Sequence, residues 1–373
     1  MYKVVLITEC MTKGVGKHIF DLYNYLSKDK DIKIYVLYGL DRVDKNYKNM
    51  IKDKYELKYL KRNIGINDLK SIFEIKNILK EIQPDVVHCH SSKAGLAGRI
   101  AAKICNVPKI VYSPHAYFFL KYKEHSFKRR MFILAEKILS RLFTDKTITT
   151  SMGEDTVFEK FKIDKNSKKV LIEHGIEKPN VSFIDRENER KKFKIEKNKI
   201  FIGAMARFEE QKDPVGTFNI MKEVSKKNDN IKCIFWGNGS NLEKVKQLNR
   251  EDNIIILPGE TQTPDLALNS LDIYLTASLY EGLPYTLIES LALGLPIVAS
   301  NVEGNRDCVY EGKNGVLFEA KKYEEAVNKI LKMVEDNKYI EYGKKSLEIF
   351  NKRFSIEQMI EKYKKIYIGE NNE

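Results

Sequence analysis

Cysteine is sparse in this chain and does not pair by pattern. The 373 residues hold five, at positions 10, 89, 105, 233 and 308, scattered and odd in number. That distribution excludes a disulfide framework and fits a reducing compartment. His88 and His90 flank Cys89, but no second cluster with ligand spacing accompanies them, so no metal is expected. No apolar run approaches membrane-spanning length. The N-terminus runs into an apolar strand pattern without the ordered regions of a signal peptide, and the expectation is a cytoplasmic protein. Asp-x-Asp occurs only at Asp29 and Asp31, among Lys28 and Lys30, and reads as a solvated turn. Internal repeats, low-complexity tracts, ribonucleoprotein aromatic motifs, zinc spacings and recognition-helix patterns are all missing, which argues against a nucleic-acid partner.

Negative charge is scarce in one half only. Residues 1–180 carry 35 Lys and Arg against 21 Asp and Glu, whereas residues 181–373 carry 30 against 31. Within the basic half, 121–143 (KYKEHSFKRRMFILAEKILSRLF) joins a cationic cluster to apolar residues at near-helical spacing. Such a helix suits either packing on its own sheet or peripheral contact with an anionic membrane.

Strand and helix patterns alternate through both halves, which predicts two parallel α/β sheets, and the length suits two domains. Residues 181–199, charged and poor in core periodicity, mark a linker between domains at 1–180 and 200–350. Residues 351–373 form a closing segment, with a helix over 355–368.

Chemistry concentrates at strand ends. Glu281 and Glu289 lie eight apart, a spacing shared with Glu243/Glu251, Glu303/Glu311 and Glu311/Glu319. Context distinguishes the first pair. An apolar strand over 272–277 precedes it, and Pro284 suits the first position of a helix. Glu281 then falls in a strand-to-helix loop, where the backbone N–H groups of Gly282 and Leu283 and the helix start can receive an anion. Arg207 and Lys212 occupy a second such loop, followed by Asp213-Pro214 as N-cap and first helical residue. In open α/β sheets ligands gather beyond the strands' carboxyl ends.

With these loops the chain resembles the retaining nucleotide-sugar glycosyltransferases of family 4, which have the GT-B architecture of two facing Rossmann-like domains. Further matches are Gly14-Val15-Gly16, Pro84 to His88, Ser113-Pro114-His115, Trp236-Gly237-Asn238-Gly239 and Gly304-Asn305-Arg306-Asp307. The resemblance implies Glu281 near the transferred sugar, Glu289 at the ribose, Arg207 and Lys212 at the diphosphate, and His115 orienting the sugar. It places the base and ribose near Gly237, Gly239 and Thr261, and a C-terminal helix crossing back to the first domain. The Gly14 to Gly16 loop is expected to approach a phosphate or acceptor; position 19 is Ile rather than a third glycine, which argues against a nicotinamide or flavin enzyme. His174 stands where the family has Asn, and its role is open.

The expected activity is transfer of a sugar from a nucleoside diphosphate donor, with UDP as the expected nucleotide, to a glycan or polyprenyl-diphosphate-linked acceptor in bacterial surface-polysaccharide synthesis, without a metal or other cofactor. Two alternatives remain: a nucleotide-sugar epimerase on the same fold, and a non-catalytic basic protein that binds polyanions or nucleic acid.

Overall fold

The computed structural model describes residues 1–61, 65, 67–250 and 252–369. Contacts divide the chain into two units, one formed by Met1–His174 with Glu357–Glu373 and the other by Gly175–Ile356.

The first unit runs β1 (Tyr2–Thr8), α1 (Lys13–Leu26), β2 (Ile32–Gly39), α2 (Lys45–Met50), β3 (Lys54–Leu57), α3 (Asn67–Ile82), β4 (Val86–His90), α4 (Ser92–Ile104), β5 (Lys109–Ser113), α5 (Phe127–Phe143), β6 (Lys146–Thr149), α6 (Met152–Lys160) and β7 (Lys169–Leu171). All neighbouring strands pair in parallel, in the order β3-β2-β1-β4-β5-β6-β7. Parallel sheets are covered on both faces, so their strands read as continuous apolar runs rather than alternating ones. Val4 to Ile7 are accordingly all fully buried.

The second unit contains α7 (Phe183–Lys192), β8 (Ile200–Met205), α8 (Pro214–Lys227), β9 (Ile231–Trp236), α9 (Leu242–Asn249), β10 (Ile255–Gly259), α10 (Pro264–Asn269), β11 (Ile273–Thr276), α11 (Tyr285–Ala292), β12 (Ile297–Ser300), α12 (Glu303–Cys308), β13 (Gly315–Phe318), α13 (Tyr323–Glu335) and α14 (Lys338–Arg353). Its sheet is also parallel, in the order β10-β9-β8-β11-β12-β13. The last helix, α15 (Ile356–Ile368), returns to the first unit, where Tyr363 and Tyr367 are buried.

Residues 181–199 hold a capped helix within the second unit. Ser182 and Asp185 form a reciprocal capping box at the start of α7. Arg186 and Arg190 both pair with Asp272, at 2.6 and 3.0 Å, and Asp272 also accepts from the Phe201 N–H at 2.7 Å. The charges that obscure a core pattern here tie α7 to the edges of β8 and β11.

Candidate functional site

In each sheet the strand order reverses once, between β1 and β4 and between β8 and β11. Such switch points open a crevice at the carboxyl ends of the strands. The second unit's crevice is walled by the loops after β8 and β11. The Leu279 N–H donates to the Gln211 carbonyl at 2.8 Å, and the Gln211 side-chain amide donates to the Tyr280 carbonyl at 3.0 Å. Lys212 Nζ forms an ion pair with Glu281 Oε1, with the two side chains 18% and 7% exposed. Two residues 69 apart in sequence thus meet because their strands are neighbours. Asp213 then caps α8, its carboxylate accepting from the Gly216 N–H at 3.1 Å and from the Tyr323 hydroxyl at 2.7 Å.

Arg207 is exposed, and its side chain forms no hydrogen bond or ion pair among the described residues. It lines an open cleft of about 350 Å³ with Lys212, Trp236, Gly237, Thr261 and Thr286. That volume lies within the range of small-molecule sites. Thr286, in the first turn of α11, has no distinguishing sequence signal. The helix opens at Tyr285, with Pro284 as its N-cap rather than its first residue: Pro284 keeps an extended backbone, φ −75° and ψ 121°. Its carbonyl accepts from the Leu287 N–H at 3.1 Å, while Gly282 and Leu283 donate to no protein acceptor among the described residues. Glu289 lies in the second turn of α11, half-buried. Burial first, and the charges of Glu281 and Glu289 in the same direction, raise the Tyr274 phenol above its ordinary value. That phenol donates to the Met205 carbonyl at 3.1 Å.

Three glycines serve the loops themselves. At Gly237, with φ 152°, a Cβ would lie 1.9 Å from the Ala206 carbonyl oxygen, and one at Gly239 would press the Phe208 backbone. Their requirement is therefore close packing of the Trp236–Asn241 segment on the Arg207 loop. Behind Glu281, a Cβ on Gly304 would lie 1.8 Å from the Gly282 carbonyl oxygen. Asn305 donates to the Ser300 carbonyl at 2.9 Å, and the Ser300 hydroxyl donates to the Ser278 carbonyl at 2.5 Å. The start of α12 is thus a buttress for the glutamate loop. Gly304→Ala is expected to cost about 1–3 kcal/mol by overpacking, read as a lower urea midpoint with a displaced Glu281 loop; unchanged stability would contradict this packing.

At the first unit's switch point five of the six histidines gather. His90 Nδ1 and His115 Nε2 lie 2.9 Å apart, and His18 Nδ1 and His174 Nδ1 lie 3.2 Å apart. His88 joins Tyr367 at 2.7 Å and Ser113 at 2.9 Å, and His18 joins Tyr363 at 3.1 Å. Burial lowers all five: His88 to about 3, His174 to about 4, and His18, His90 and His115 well below the usual range, with neighbouring charges adding to the effect in all but His88. His115 is the part-exposed member, and it and Ala116 both have positive φ, 48° and 84°. Consecutive left-handed residues cost energy and mark functional segments. The Ala116 N–H is held by the Glu154 carboxylate. Ring nitrogens of His18, His90 and His115 lie within 4.8 Å of one another, a grouping able to take a cation.

Gly14 and Gly16 fall in the first turn of α1 rather than in a loop before it. A Cβ on Gly16 would lie 2.5 Å from the Met11 carbonyl carbon, so this glycine lets the helix start close on the preceding chain. Asp29 pairs with Lys364 at 2.5 Å and accepts from the Asp31 N–H, which makes the Asp-x-Asp pattern a structural turn. All five cysteines are free, and burial pushes Cys89 and Cys233 up to about 12, leaving those two thiols unreactive.

Two parallel Rossmann-like units, each with a switch point at its strand ends, are the architecture of the GT-B fold. A family model for Glycosyltransferase Family 4 matches residues 12–178, and one for Glycosyl transferases group 1 matches residues 185–346. The chain belongs to this glycosyltransferase family. It is 27% identical over 325 residues to the UDP-Gal:alpha-D-GlcNAc-diphosphoundecaprenol alpha-1,3-galactosyltransferase of Escherichia coli, covering 82% of this chain and 81% of that one. To the capsular polysaccharide biosynthesis glycosyltransferase CapM of Staphylococcus aureus it is 24% identical over 324 residues, 83% and 82% of the two chains. Among solved structures, Anabaena HepE in complex with UDP superposes with a TM-score of 0.81 at 17% identity, covering 97% of this chain and 98% of that one. A Rickettsia africae glycosyltransferase gives 0.83 at 19%, covering 98% and 97%.

Proposed function

We propose that this enzyme moves a hexosyl or N-acetylhexosaminyl group from a UDP-linked donor to a lipid-linked or glycan acceptor in bacterial surface-polysaccharide synthesis, with retention and without a metal. The observation that carries this reading is the Lys212–Glu281 pair beside an unpaired Arg207 at the switch point of the second sheet. Arg207, Lys212, the free N–H groups of Gly282 and Leu283 and the start of α11 stabilise the charge that develops on the departing diphosphate, usually the main source of rate enhancement in such sites. Glu281 accepts hydrogen bonds from the transferred sugar, Glu289 from the ribose, and His115 is assigned to the sugar as well. The nucleoside lies along Trp236, Gly237 and Thr261. In the step itself the bond between the anomeric carbon and the diphosphate breaks, the acceptor oxygen bonds on the same face, and its proton passes to the diphosphate. The names of the relatives, with a UDP-galactose donor, a diphosphoundecaprenol acceptor and capsular polysaccharide, support the donor, acceptor and pathway class.

The test is incubation with a panel of UDP-sugars and an undecaprenyl-diphosphate-linked sugar in the presence of EDTA. An α-linked product, recognised by its anomeric proton coupling, is expected. Donor consumption without acceptor would mean an epimerase, and complete dependence on a divalent ion would remove the metal-free mechanism. Glu289→Ala should weaken donor binding by about tenfold, the loss of one or two hydrogen bonds to a charged group. Calorimetry giving the wild-type affinity for this variant would contradict the ribose assignment.

A further inference from the structure

Helix α5 carries two apolar faces, and the protein covers only one. Phe132, Ile133, Leu139 and Phe143 point inward or are half-buried, with Phe132 against the Phe118 and Tyr122 rings. Opposite them, Phe127, Met131, Leu134, Ile138 and Leu142 are 75%, 54%, 59%, 46% and 61% exposed. Their spacing of four, three, four and four residues draws one continuous stripe along a helix of about 25 Å. At 100° per residue, Arg130, Lys137 and Arg141 border the stripe on one side and Lys128 on the other. The helix has a single acidic residue, Glu136, and that carboxylate is turned inward to the buried Arg99, at 2.8 and 3.0 Å. Leu120, also exposed, and Lys121 precede the helix on the segment packed against it.

We propose that this outer face of α5 seats the enzyme on an anionic lipid bilayer, the apolar stripe entering the acyl boundary and the flanking cations lying at the phosphates. An exposed stripe alone would suit a second copy of the chain or another protein. The cationic borders without any outward acid decide for the membrane, because a second copy would set like charges against one another. Residues 121–143 hold seven Lys and Arg against Glu124 and Glu136, a density typical of segments that recognise anionic headgroups. For its purpose the seat rests on the lipid-linked acceptor proposed above, since such an acceptor is presented at a bilayer; no helix among the described residues is long and apolar enough to cross one.

The full chain is sedimented with vesicles of phosphatidylcholine alone and of phosphatidylcholine with phosphatidylglycerol, at low and high salt. Wild-type protein should pellet with the anionic vesicles and release as salt rises. Leu134→Glu with Ile138→Glu, and separately Lys128→Glu with Arg130→Glu and Arg141→Glu, should each reduce the bound fraction about tenfold or more. Thermal melting and UDP affinity of both variants should match wild type, which separates lost docking from lost folding. Equal binding by the variants, equal binding to neutral vesicles, or a solution dimer that the leucine and isoleucine substitutions dissociate would each overturn the proposal. Vesicle binding without transfer to a lipid-linked acceptor would retire the acceptor reading and leave the seat standing; transfer in detergent with no vesicle binding would do the reverse.

Discussion

Lys212→Ala is expected to lower transfer on the order of 10²- to 10³-fold. Removing one preorganised donor from a site of developing negative charge costs about that much. Here the loss is compounded, because Glu281, with a side chain 7% exposed, would lose its cation and stand nearly buried without a partner. The companion substitution separates the two roles. Glu281→Gln keeps the shape of the loop and releases Lys212 for the diphosphate, so donor affinity should hold within a few-fold while turnover falls on the order of 10²-fold. Steady-state kcat and KM from coupled UDP release, with melting curves to confirm folding, make the comparison. A Lys212→Ala protein within about threefold of wild-type turnover would remove this lysine from the site.

Acid should unfold the first unit early. Buried His18, His88, His90 and His174 have folded-state values below the ordinary 6.5, His174 at about 4 and His88 at about 3. Their depressed values mean that the unfolded chain binds protons first as pH falls. Stability is therefore full above about pH 6.5 and is lost progressively toward pH 4 and 3. Each neutral buried histidine contributes a slope of up to about 1.4 kcal/mol per pH unit in that window. Four of them give at most about 5.5 kcal/mol per unit, comparable to the whole stability of many domains. Glu154, raised by burial, works in the opposite sense and offsets part of this below its own range. Urea midpoints across pH 4–7, with hydrogen exchange to localise the change to Met1–His174, are expected to fall steeply below about pH 6. His174→Asn removes one titrating group from the set and should flatten the profile. A flat midpoint between about pH 7 and pH 5 in wild type would contradict a neutral, buried cluster.

Much of the fold was legible because parallel strands, buried on both faces, read as short apolar runs such as Val4 to Ile7. The Arg207 to Asp213 and Glu281 to Glu289 segments were legible as strand-to-helix loops for the same reason, together with Asp213-Pro214 as a helix start. What the sequence could not supply was adjacency. Lys212 meets Glu281 only because β8 and β11 are neighbours at the switch point, and the histidine cluster draws on α1, β4, the segment after β5 and the chain after β7, brought together by strand order. Pro284 fell one position outside its helix because an extended ψ and a first-turn φ are both open to proline. Gly14 and Gly16 look like a loop until α1 is seen to begin at Lys13, and the close packing that requires glycine at 237 and 239 shows only once the Ala206 to Phe208 backbone is found against them. Periodicity in α5 marked an apolar helix, but one spacing cannot say which of two apolar faces the protein covers.

Hydrogen–deuterium exchange of the full-length enzyme with and without UDP tests the donor site most directly. Protection should concentrate in three stretches, the Arg207–Asp213 loop, Trp236–Asn241 and Leu279–Glu289, and it should persist in EDTA and weaken in Lys212→Ala. Binding of UDP that leaves those three stretches unprotected, or that protects them equally in Lys212→Ala, would contradict the diphosphate site built on Arg207, Lys212 and Glu281.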